Sequence, residues 1–154
     1  MRSLLCSLFT VVQLFTFGQV SNITCTSAAA EQAMKGLHDP AQYAASDVID
    51  DHEVILCELR TAVSADSLKA HLQGLLTFYT RHTRSDTVSN ASGIGAARRW
   101  IHSKFEEFSE ANEDRLIPGY LQFDYQAGAN ECGSGEGWRN VLAVLPGSDV
   151  SDHR

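Results

Sequence analysis

A run of five apolar residues near the end of the chain constrains the fold most. Residues 141–145 read Val-Leu-Ala-Val-Leu, with no polar or charged side chain, and Pro146 and Gly147 close the run. A short apolar run bounded by turn residues indicates a strand that is apolar on both faces. Such strands are typical of a sheet with helices on both sides. The sequence therefore predicts an α/β fold in which this strand needs neighbouring strands and covering helices.

A second strand is predicted from a period of two that precedes this run. Leu121, Phe123 and Tyr125 alternate with polar residues, which indicates one buried face and one solvated face. Residues 127–137 contain four glycines and are predicted to form an exposed loop between the two strands. The fold class expected from the strong patterns is thus two helices followed by two strands.

The first of these helices is predicted to begin after Ser64 and to end near Tyr79. Ser64 is the expected N-cap, and Asp66 lies in the first turn, where the helix dipole favours a negative charge. Gly74 is expected to weaken this helix by about 1 kcal/mol relative to Ala. The apolar stripe expected to face a core consists of Leu68, Leu72, Leu75, Leu76 and Tyr79.

The second helix is predicted to begin at Ser92 or Gly93 and to end at about Ser109. Polar and charged residues cover the face opposite to its apolar residues, as expected for a helix at the surface of a core. Its apolar stripe consists of Ile94, Ala97, Ile101, Phe105 and Phe108.

The stretch before these helices, residues 21–63, is predicted to be a partly helical pre-segment. Ser27 is expected to cap a short Ala-rich helix that runs through Leu37. His38, Asp39 and Pro40 are expected to end it, because proline cannot continue a helix. The apolar residues between 41 and 59 indicate loosely packed, partly helical structure.

Residues 1–20 have the three parts of a secretory signal peptide. Met1–Ser3 is a short basic start, Leu4–Phe17 is mainly apolar, and small and polar residues follow. Cleavage is expected between Phe17 and Ser21, although a buried N-terminal helix is the alternative. The apolar run is too short for a stable membrane span, which needs about 20 residues. A secreted or periplasmic location is expected.

Charge and cysteine content narrow the function classes. The chain has 154 residues, of which 12 are Lys or Arg and 19 are Asp or Glu, so its formal net charge is −7. This balance excludes the basic surface that nucleic-acid binding requires. Three cysteines lie after the signal peptide, namely Cys25, Cys57 and Cys132. An odd number leaves two readings open, one disulfide with a free thiol or no disulfide.

No metal site is predicted from the residues themselves. Residues 50–53, Asp-Asp-His-Glu, are the densest set of metal-binding side chains, but neighbouring side chains on one helix point in different directions. A solvated acidic patch is the favoured interpretation. His71 and His102 lie away from the apolar stripes, and both are predicted to be surface residues. The chain contains neither H-E-x-x-H nor H-x-D.

Three other short motifs favour structural interpretations. Residues 133–135, Gly-Ser-Gly, lack the spacing and context of a serine nucleophile and are read as a flexible loop. Residues 93–97 lack the third glycine of a dinucleotide fingerprint, and Gly95 and Ala96 are expected to allow close helix packing. Residues 81–84, Arg-His-Thr-Arg, are read as a solvated loop, with carboxylate or phosphate binding as the alternative.

Four segments in order resemble the secreted zinc aminopeptidases of metallopeptidase family 28, the co-catalytic zinc exopeptidases. They are a helix at 67–75, a Thr-Arg-His-Thr loop at 80–83, a Gly-Ile-Gly-Ala-Ala-Arg-Arg-Trp-Ile helix at 93–101 and an Asn-Val-Leu-Ala-Val-Leu-Pro-Gly strand at 140–147. The resemblance identifies residues 64–154 as the N-terminal portion of such a peptidase domain. It implies a mixed sheet flanked by helices, two zinc ions, a glutamate as general base, and removal of N-terminal residues from peptides.

The family's catalytic residues are not expected in this chain. In the family, the strand after the Leu-Pro-Gly turn carries an H-x-D motif with the first zinc ligand, and the sequence stops at Arg154, before that strand. His153 precedes the expected strand and is not that ligand. No catalytic, cofactor-binding or metal residue is therefore assigned, and no specific zinc binding by this chain alone is expected. Residues 81–83 are expected near the rim of the active site in the complete enzyme.

Two functions from different classes follow from the sequence. The favoured one is the N-terminal fragment of a secreted zinc aminopeptidase that is inactive alone and acts on peptides only as part of the complete enzyme. The alternative is a self-standing, non-catalytic exported domain with a binding or inhibitory role. Because residues 141–145 form an uncharged strand that needs neighbours, self-association through this strand is also expected.

Overall fold

The computed structural model describes residues 19–80, 82, 85–126 and 135–147. Within these residues the chain forms four α-helices, one 3₁₀ turn at Pro40–Tyr43 and one antiparallel sheet, which confirms the predicted α/β class. The helices are α1 (Ala28–Met34), α2 (His52–Ala62), α3 (Ala65–Leu76) and α4 (Gly93–Glu110). The strands are β1 (Gln19–Cys25), β2 (Ile117–Gln126) and β3 (Gly135–Val144).

The sheet has the order β1-β2-β3, so that β2 is central and the most apolar strand, β3, lies at an edge of the described sheet. Both predicted strands are present but longer than the apolar patterns indicated. The prediction of a loop through residue 137 is wrong at its end, since Gly135 already pairs with Tyr125, and residues 127–134 lie outside the described residues. Strand β3 ends at Val144, so Leu145 is not part of the strand.

Strand β1 was not predicted, and it overlaps the expected end of the signal peptide. Its residues have no period of two, and it pairs with β2 through a register shift between Ser21 and Thr24. Asn22 lies in this irregularity with a φ of 51°, a conformation that asparagine tolerates better than most residues. Its side-chain amide donates to Asp124 Oδ2 at 2.7 Å. A bulged strand of this kind has no simple sequence pattern.

Helices lie on both faces of the sheet. Successive side chains along a strand point to opposite faces of the sheet. Tyr120 of β2 stacks on His102 of α4, with ring centroids 4.7 Å apart, which places α4 on one face. A Cβ on Gly119 would lie 3.1 Å from the Cβ of Ser27, which places the start of α1 on the other face. The helix-flanked sheet that the sequence predicts is thus present in part.

The predicted N-caps of α1 and α3 are confirmed. Ser27 Oγ accepts from the amide of Ala30 at 3.3 Å, and Ser64 Oγ accepts from the amide of Ser67 at 3.2 Å. Helix α4 also begins and ends within one residue of its predicted bounds.

The predicted ends of α1 and α3 are too late. Helix α1 ends at Met34, and Gly36 follows with a φ of 67°, so this glycine ends the helix before Pro40 is reached. Helix α3 ends at Leu76 rather than near Tyr79, which itself has a φ of 54°. A glycine in the left-handed region thus ends α1, whereas Tyr79 adopts this conformation three residues after the last residue of α3.

The apolar stripe assigned to α3 is not a core face. Leu68, Leu72, Leu76 and Tyr79 are 57%, 64%, 69% and 80% exposed. The prediction that this stripe faces a core is therefore wrong for the described residues, in which the buried hydrophobic core consists of four other residues. These are Ala30, Ala96, Ala97 and Ile117.

A different face of α3 contacts α4. The His71 ring lies 6.0 Å from the Trp100 ring and 6.2 Å from the Phe108 ring. A Cβ on Gly74 would lie 3.0 Å from Trp100 Cζ2, so the absence of a side chain at Gly74 allows Trp100 to approach. His71 is half-buried, so its prediction as a surface residue is wrong. Gly74 weakens the helix, but it also makes the contact with Trp100 possible.

The helices that the structure describes include none with the length and hydropathy required of a membrane span.

Candidate functional site

The end of β3 is the candidate functional site, because the family resemblance expects the first zinc ligand just after this strand. A groove of about 560 Å³ opens beside the turn that follows β3. It is lined by Tyr43, Ala44, Ala45, Asp47, Val48, Ile49, Arg115, Leu145, Pro146 and Gly147. The groove therefore combines the apolar end of the sheet with one carboxylate and one guanidinium.

Polar contacts hold residues 43–49, which form one wall of this groove. The backbone amide of Ser46 donates to Glu113 Oε2 at 2.9 Å, and its hydroxyl donates to Glu113 Oε1. Arg115 Nε donates to the carbonyl oxygen of Tyr43 at 2.8 Å. Glu113 and Arg115 belong to the turn between α4 and β2, so this turn fixes the wall against the sheet.

These contacts favour the charged form of the Glu113 carboxyl. Hydrogen bonds from the Ser46 hydroxyl and then from its backbone amide lower the pKa of Glu113, and the positive charge of Arg115 adds to them. Glu113 has a φ of 60° and Asp114 a φ of 55°, which shows that the turn is tight. The wall is thus attached to a strained turn by an ionised carboxylate.

His38 contacts the turn after β3 from the side of α1. Its Nε2 lies 3.0 Å from the carbonyl oxygen of Gly147. A carbonyl oxygen can only accept, so Nε2 carries the hydrogen in this contact. Nδ1 is buried and is without a hydrogen-bond partner among the described residues, which costs about 1–3 kcal/mol. His38 therefore fixes the turn at an energetic cost.

The start of α4 packs tightly against the loop formed by residues 85–92. The amide of Gly95 donates to the carbonyl oxygen of Asp86 at 3.0 Å, and a Cβ on Gly95 would lie 2.1 Å from the carbonyl oxygen of Thr87. Gly93 has a φ of 82° and similarly has no room for a Cβ. The close approach predicted at Gly95 is present, but the partner is a loop and not the expected helix, and Ala96 is buried.

The charged side chains at this contact between the loop and α4 are also hydrogen-bonded to backbone groups. The Asp86 carboxylate accepts from the amides of Val88 and Ser89 at 2.7 and 3.0 Å, and these bonds lower the pKa of Asp86. Arg99 donates to the carbonyl oxygens of Thr87, Val88 and Ser89. Of residues 81–84, predicted to be a solvated loop whose residues 81–83 lie near an active-site rim, Arg81, Thr83 and Arg84 lie outside the described residues.

The acidic segment at 50–53 is a solvated helix start. All four residues are exposed, and Asp51 caps α2 by accepting from the amides of Glu53 and Val54 at 2.9 and 3.0 Å. No group of three metal-binding side chains converges anywhere among residues 19–80, 82, 85–126 and 135–147. Cys25 and Cys57 are free thiols, whereas Cys132, Gly133, Ser134 and His153 lie outside the described residues.

His102 differs from its prediction as a surface residue. Its side chain is only 21% exposed because the ring stacks on Tyr120, and Nδ1 lies 3.4 Å from Glu106 Oε1. The sequence signal for this position is its spacing, since His102 lies eight residues after Ile94 and one after Ile101, at the margin of the predicted apolar stripe. A margin position does not reveal by itself that an aromatic side chain covers it.

The chain is similar to part of several curated fungal proteins. It is 41% identical over 91 residues to a probable zinc metalloprotease of Phaeosphaeria nodorum, which covers 58% of this chain and 18% of the relative. It is 36% identical over 98 residues to one of Pyrenophora teres f. teres, covering 63% and 21%. It is 32% identical over 76 residues to one of Pyrenophora tritici-repentis, covering 49% and 18%.

The chain thus spans about a fifth of the length of the curated relatives it matches. No protein-family model matches the chain, and no solved structure matches it. The names of the relatives support the metallopeptidase class that the sequence resemblance implied.

Proposed function

We propose that this chain is the N-terminal part of a secreted zinc aminopeptidase of metallopeptidase family 28. The observation that carries the proposal is the 41% identity over 91 residues to the probable zinc metalloprotease of Phaeosphaeria nodorum. The finer assignments, to aminopeptidases and to family 28, rest on the four ordered segments at 67–75, 80–83, 93–101 and 140–147. Peptides are the proposed substrates of the complete enzyme.

The proposed contribution of this chain is a scaffold next to the metal centre. The described residues contain no converging set of three metal-binding side chains, so they do not fit the family's paired zinc site. Zinc ligands and the general base therefore belong, in this proposal, to segments other than those described. His38, Glu113 and Arg115 hold the turn after β3 and the groove wall beside it, from which the ligand-bearing segment would continue.

The exposed apolar residues of α2 and α3 support this scaffold role. Val54, Ile55, Leu59 and Val63 of and after α2 are 37–67% exposed, and the stripe on α3 is exposed in the same way. Contiguous exposed apolar residues on two consecutive helices are typical of a surface that another segment covers. The relatives are about five times longer than the matched region, which provides such a segment in the complete enzyme.

A chimeric enzyme tests the proposal. The matched segment of the Phaeosphaeria nodorum protein is replaced by the corresponding 91 residues of this chain, and hydrolysis of leucine p-nitroanilide is measured with and without a zinc chelator. We expect hydrolysis that the chelator abolishes. We also expect no hydrolysis when the amino group of the substrate is acetylated. A matched chimera carrying Gly95→Val should be inactive, since it disrupts the start of α4.

Each arm of this test has a separate meaning. Equal cleavage of free and acetylated substrates would retain the metallopeptidase and overturn the aminopeptidase assignment. A chimera that folds and binds zinc but hydrolyses neither a free-amino substrate nor a protein substrate would overturn the proposal. It would favour the self-standing binding or inhibitory domain instead.

Secretion is tested through the N-terminus of the mature chain. Expression of the whole chain in a fungal host should give a protein in the medium that begins between residues 18 and 21. Because β1 begins at Gln19, cleavage at the early end of this window leaves the pairing of Gln19 with Gln126 intact. Retention of Met1 in a cell-associated product would contradict the secreted location.

A further inference from the structure

Two arginines converge on one tyrosine at the interface between α4 and the sheet. Arg98 Nη1 donates to the backbone carbonyl oxygen of Arg139 at 3.5 Å, and the Arg139 guanidinium carbon lies 5.9 Å from the centre of the Tyr120 ring. Gln122 Oε1 accepts from Arg139 Nε at 2.8 Å, and the His102 ring stacks on the Tyr120 ring. Three elements, α4, β2 and β3, thus bring these groups together.

Within the described residues, no carboxylate is paired with either of these two positive charges. Neither Arg98 nor Arg139 forms a salt bridge with any described residue, and the acidic side chain that reaches this region, Glu106, lies against His102. Partial burial, followed by the nearby charges of Arg139 and Arg99, lowers the pKa of Arg98. Burial raises the pKa of Tyr120 although the arginines oppose this, so the phenol keeps its proton and can donate it.

This pair of arginines lies in a chain with a net charge of −7, and Arg98 is half-buried whereas Arg139 is exposed. A half-buried positive charge beside a like charge is disfavoured, and an anion that binds both guanidinium groups would relieve this. A nucleic acid or an anionic membrane is a poor occupant, because an acidic chain repels a polyanion. The negative charge also disfavours a dianion such as phosphate relative to a single carboxylate.

We propose that Arg98, Arg139 and Tyr120 form a binding site for one carboxylate group. The guanidinium groups provide planar, charge-assisted donors, for which a carboxylate is the matching acceptor, and the phenol provides a third donor. His102 and Gln122 are positioning residues that orient the Tyr120 ring and the Arg139 fork. The carboxylate comes either from a small molecule or from an acidic side chain of another protein segment.

Titration of the full chain with sodium acetate tests this site. The NMR signals of the arginine Nε–H groups and of the tyrosine ring are followed at constant ionic strength, with sodium chloride replacing acetate in the control. Saturable shifts confined to Arg98, Arg139 and Tyr120 are expected. Arg98→Gln and Arg139→Gln should each weaken acetate binding about tenfold. Arg60→Gln, on the exposed end of α2, should leave it unchanged.

Further arms identify the source and guard against loss of folding. Arg139→Lys keeps the positive charge but removes the planar guanidinium group, so the affinity for acetate should fall less than with Arg139→Gln. Tighter binding of N-acetyl-glutamate methylamide than of acetate would assign the site to a protein side chain, and the reverse would assign it to a small carboxylate. Shifts that do not saturate, that chloride reproduces, or that are larger with phosphate than with acetate would overturn the proposal.

Discussion

Helices α3 and α4 carry similar apolar stripes but have different surroundings. Helix α4 lies on the sheet and buries Gly95, Ala96, Ala97 and Ser109 along its length. Helix α3 has no buried residue, and its Leu68–Leu72–Leu76 stripe faces away from the rest of the described chain. The comparison shows that an amphipathic period predicts a helix and an apolar face, but does not predict which neighbour covers that face.

The contact between the two helices is made by residues that the period did not select. His71, Gly74 and Trp100 meet because a small residue allows a large ring to approach, and such size complementarity has no simple sequence signature. The sheet of the same chain therefore covers and stabilises α4, whereas the apolar residues of α2 and the apolar stripe of α3 remain exposed.

The largest expected effect separates two glycines, one in each helix. Gly95→Ala should lower the free energy of unfolding by on the order of 3 kcal/mol, because its Cβ would lie 2.1 Å from a backbone oxygen that cannot move alone. Gly74→Ala should change it by less than about 1 kcal/mol, because the Trp100 ring can shift and Ala is the better helix former. Urea denaturation followed by circular dichroism measures both. Equal midpoints would show that the 85–92 loop does not pack on α4.

A smaller effect separates the two apolar stripes themselves. Phe105→Ala in α4 should cost about 2 kcal/mol, less than for a fully buried Phe, because Phe105 is half-buried. Leu72→Ala in α3 should cost no more than about 0.5 kcal/mol, because Leu72 is 64% exposed. Glu106→Ala is the surface control on α4. If Leu72→Ala lowered the urea midpoint as much as Phe105→Ala, the stripe of α3 would be covered in solution.

The edge strand is expected to affect assembly more than folding. Strand β3 leaves one edge unpaired within the described sheet, and we propose that copies of the chain associate through residues 141–145. Leu142→Lys or Val144→Lys should reduce the mass average in sedimentation velocity without raising the urea midpoint. Val88→Lys, in the exposed 85–92 loop, serves as the control. A chain that is monomeric before any substitution would contradict this proposal.

The smallest expected effect is a local dependence on pH at the groove wall. The pKa of Glu113 is lowered in the folded chain, so its stabilising contribution is fully present above its ordinary pKa of 4.5 and is lost as the pH falls through its lower folded pKa. The protection of the Ser46 amide against exchange, relative to its intrinsic rate at each pH, should therefore fall below about pH 4.5. Glu113→Gln should remove most of this pH dependence, and an unchanged profile in that variant would assign it to another group.

The sequence predicts the α/β class, the N-caps of α1 and α3, the bounds of α4 and the presence of β2 and β3, because each depends on local propensity or period. Strand β1 has neither, and its place in the sheet depends on pairing with residues about a hundred positions away. The groove beside β3 and the Arg98–Tyr120–Arg139 cluster are also unpredictable from spacing, because each joins segments that are distant in sequence. The expectation of zinc ligands in the complete enzyme rests on the family resemblance.

Hydrogen exchange of the backbone amides tests the central contrast most directly. On the full chain at neutral pH, we expect the amides of α4, β2 and the paired side of β3 to exchange at least about tenfold more slowly than those of α2 and α3. That result would show that the chain supplies a folded α4–sheet unit together with helices whose apolar residues lack cover. Equal protection of α3 and α4 would contradict the account, since it would mean that the chain covers the Leu68–Leu72–Leu76 stripe by itself.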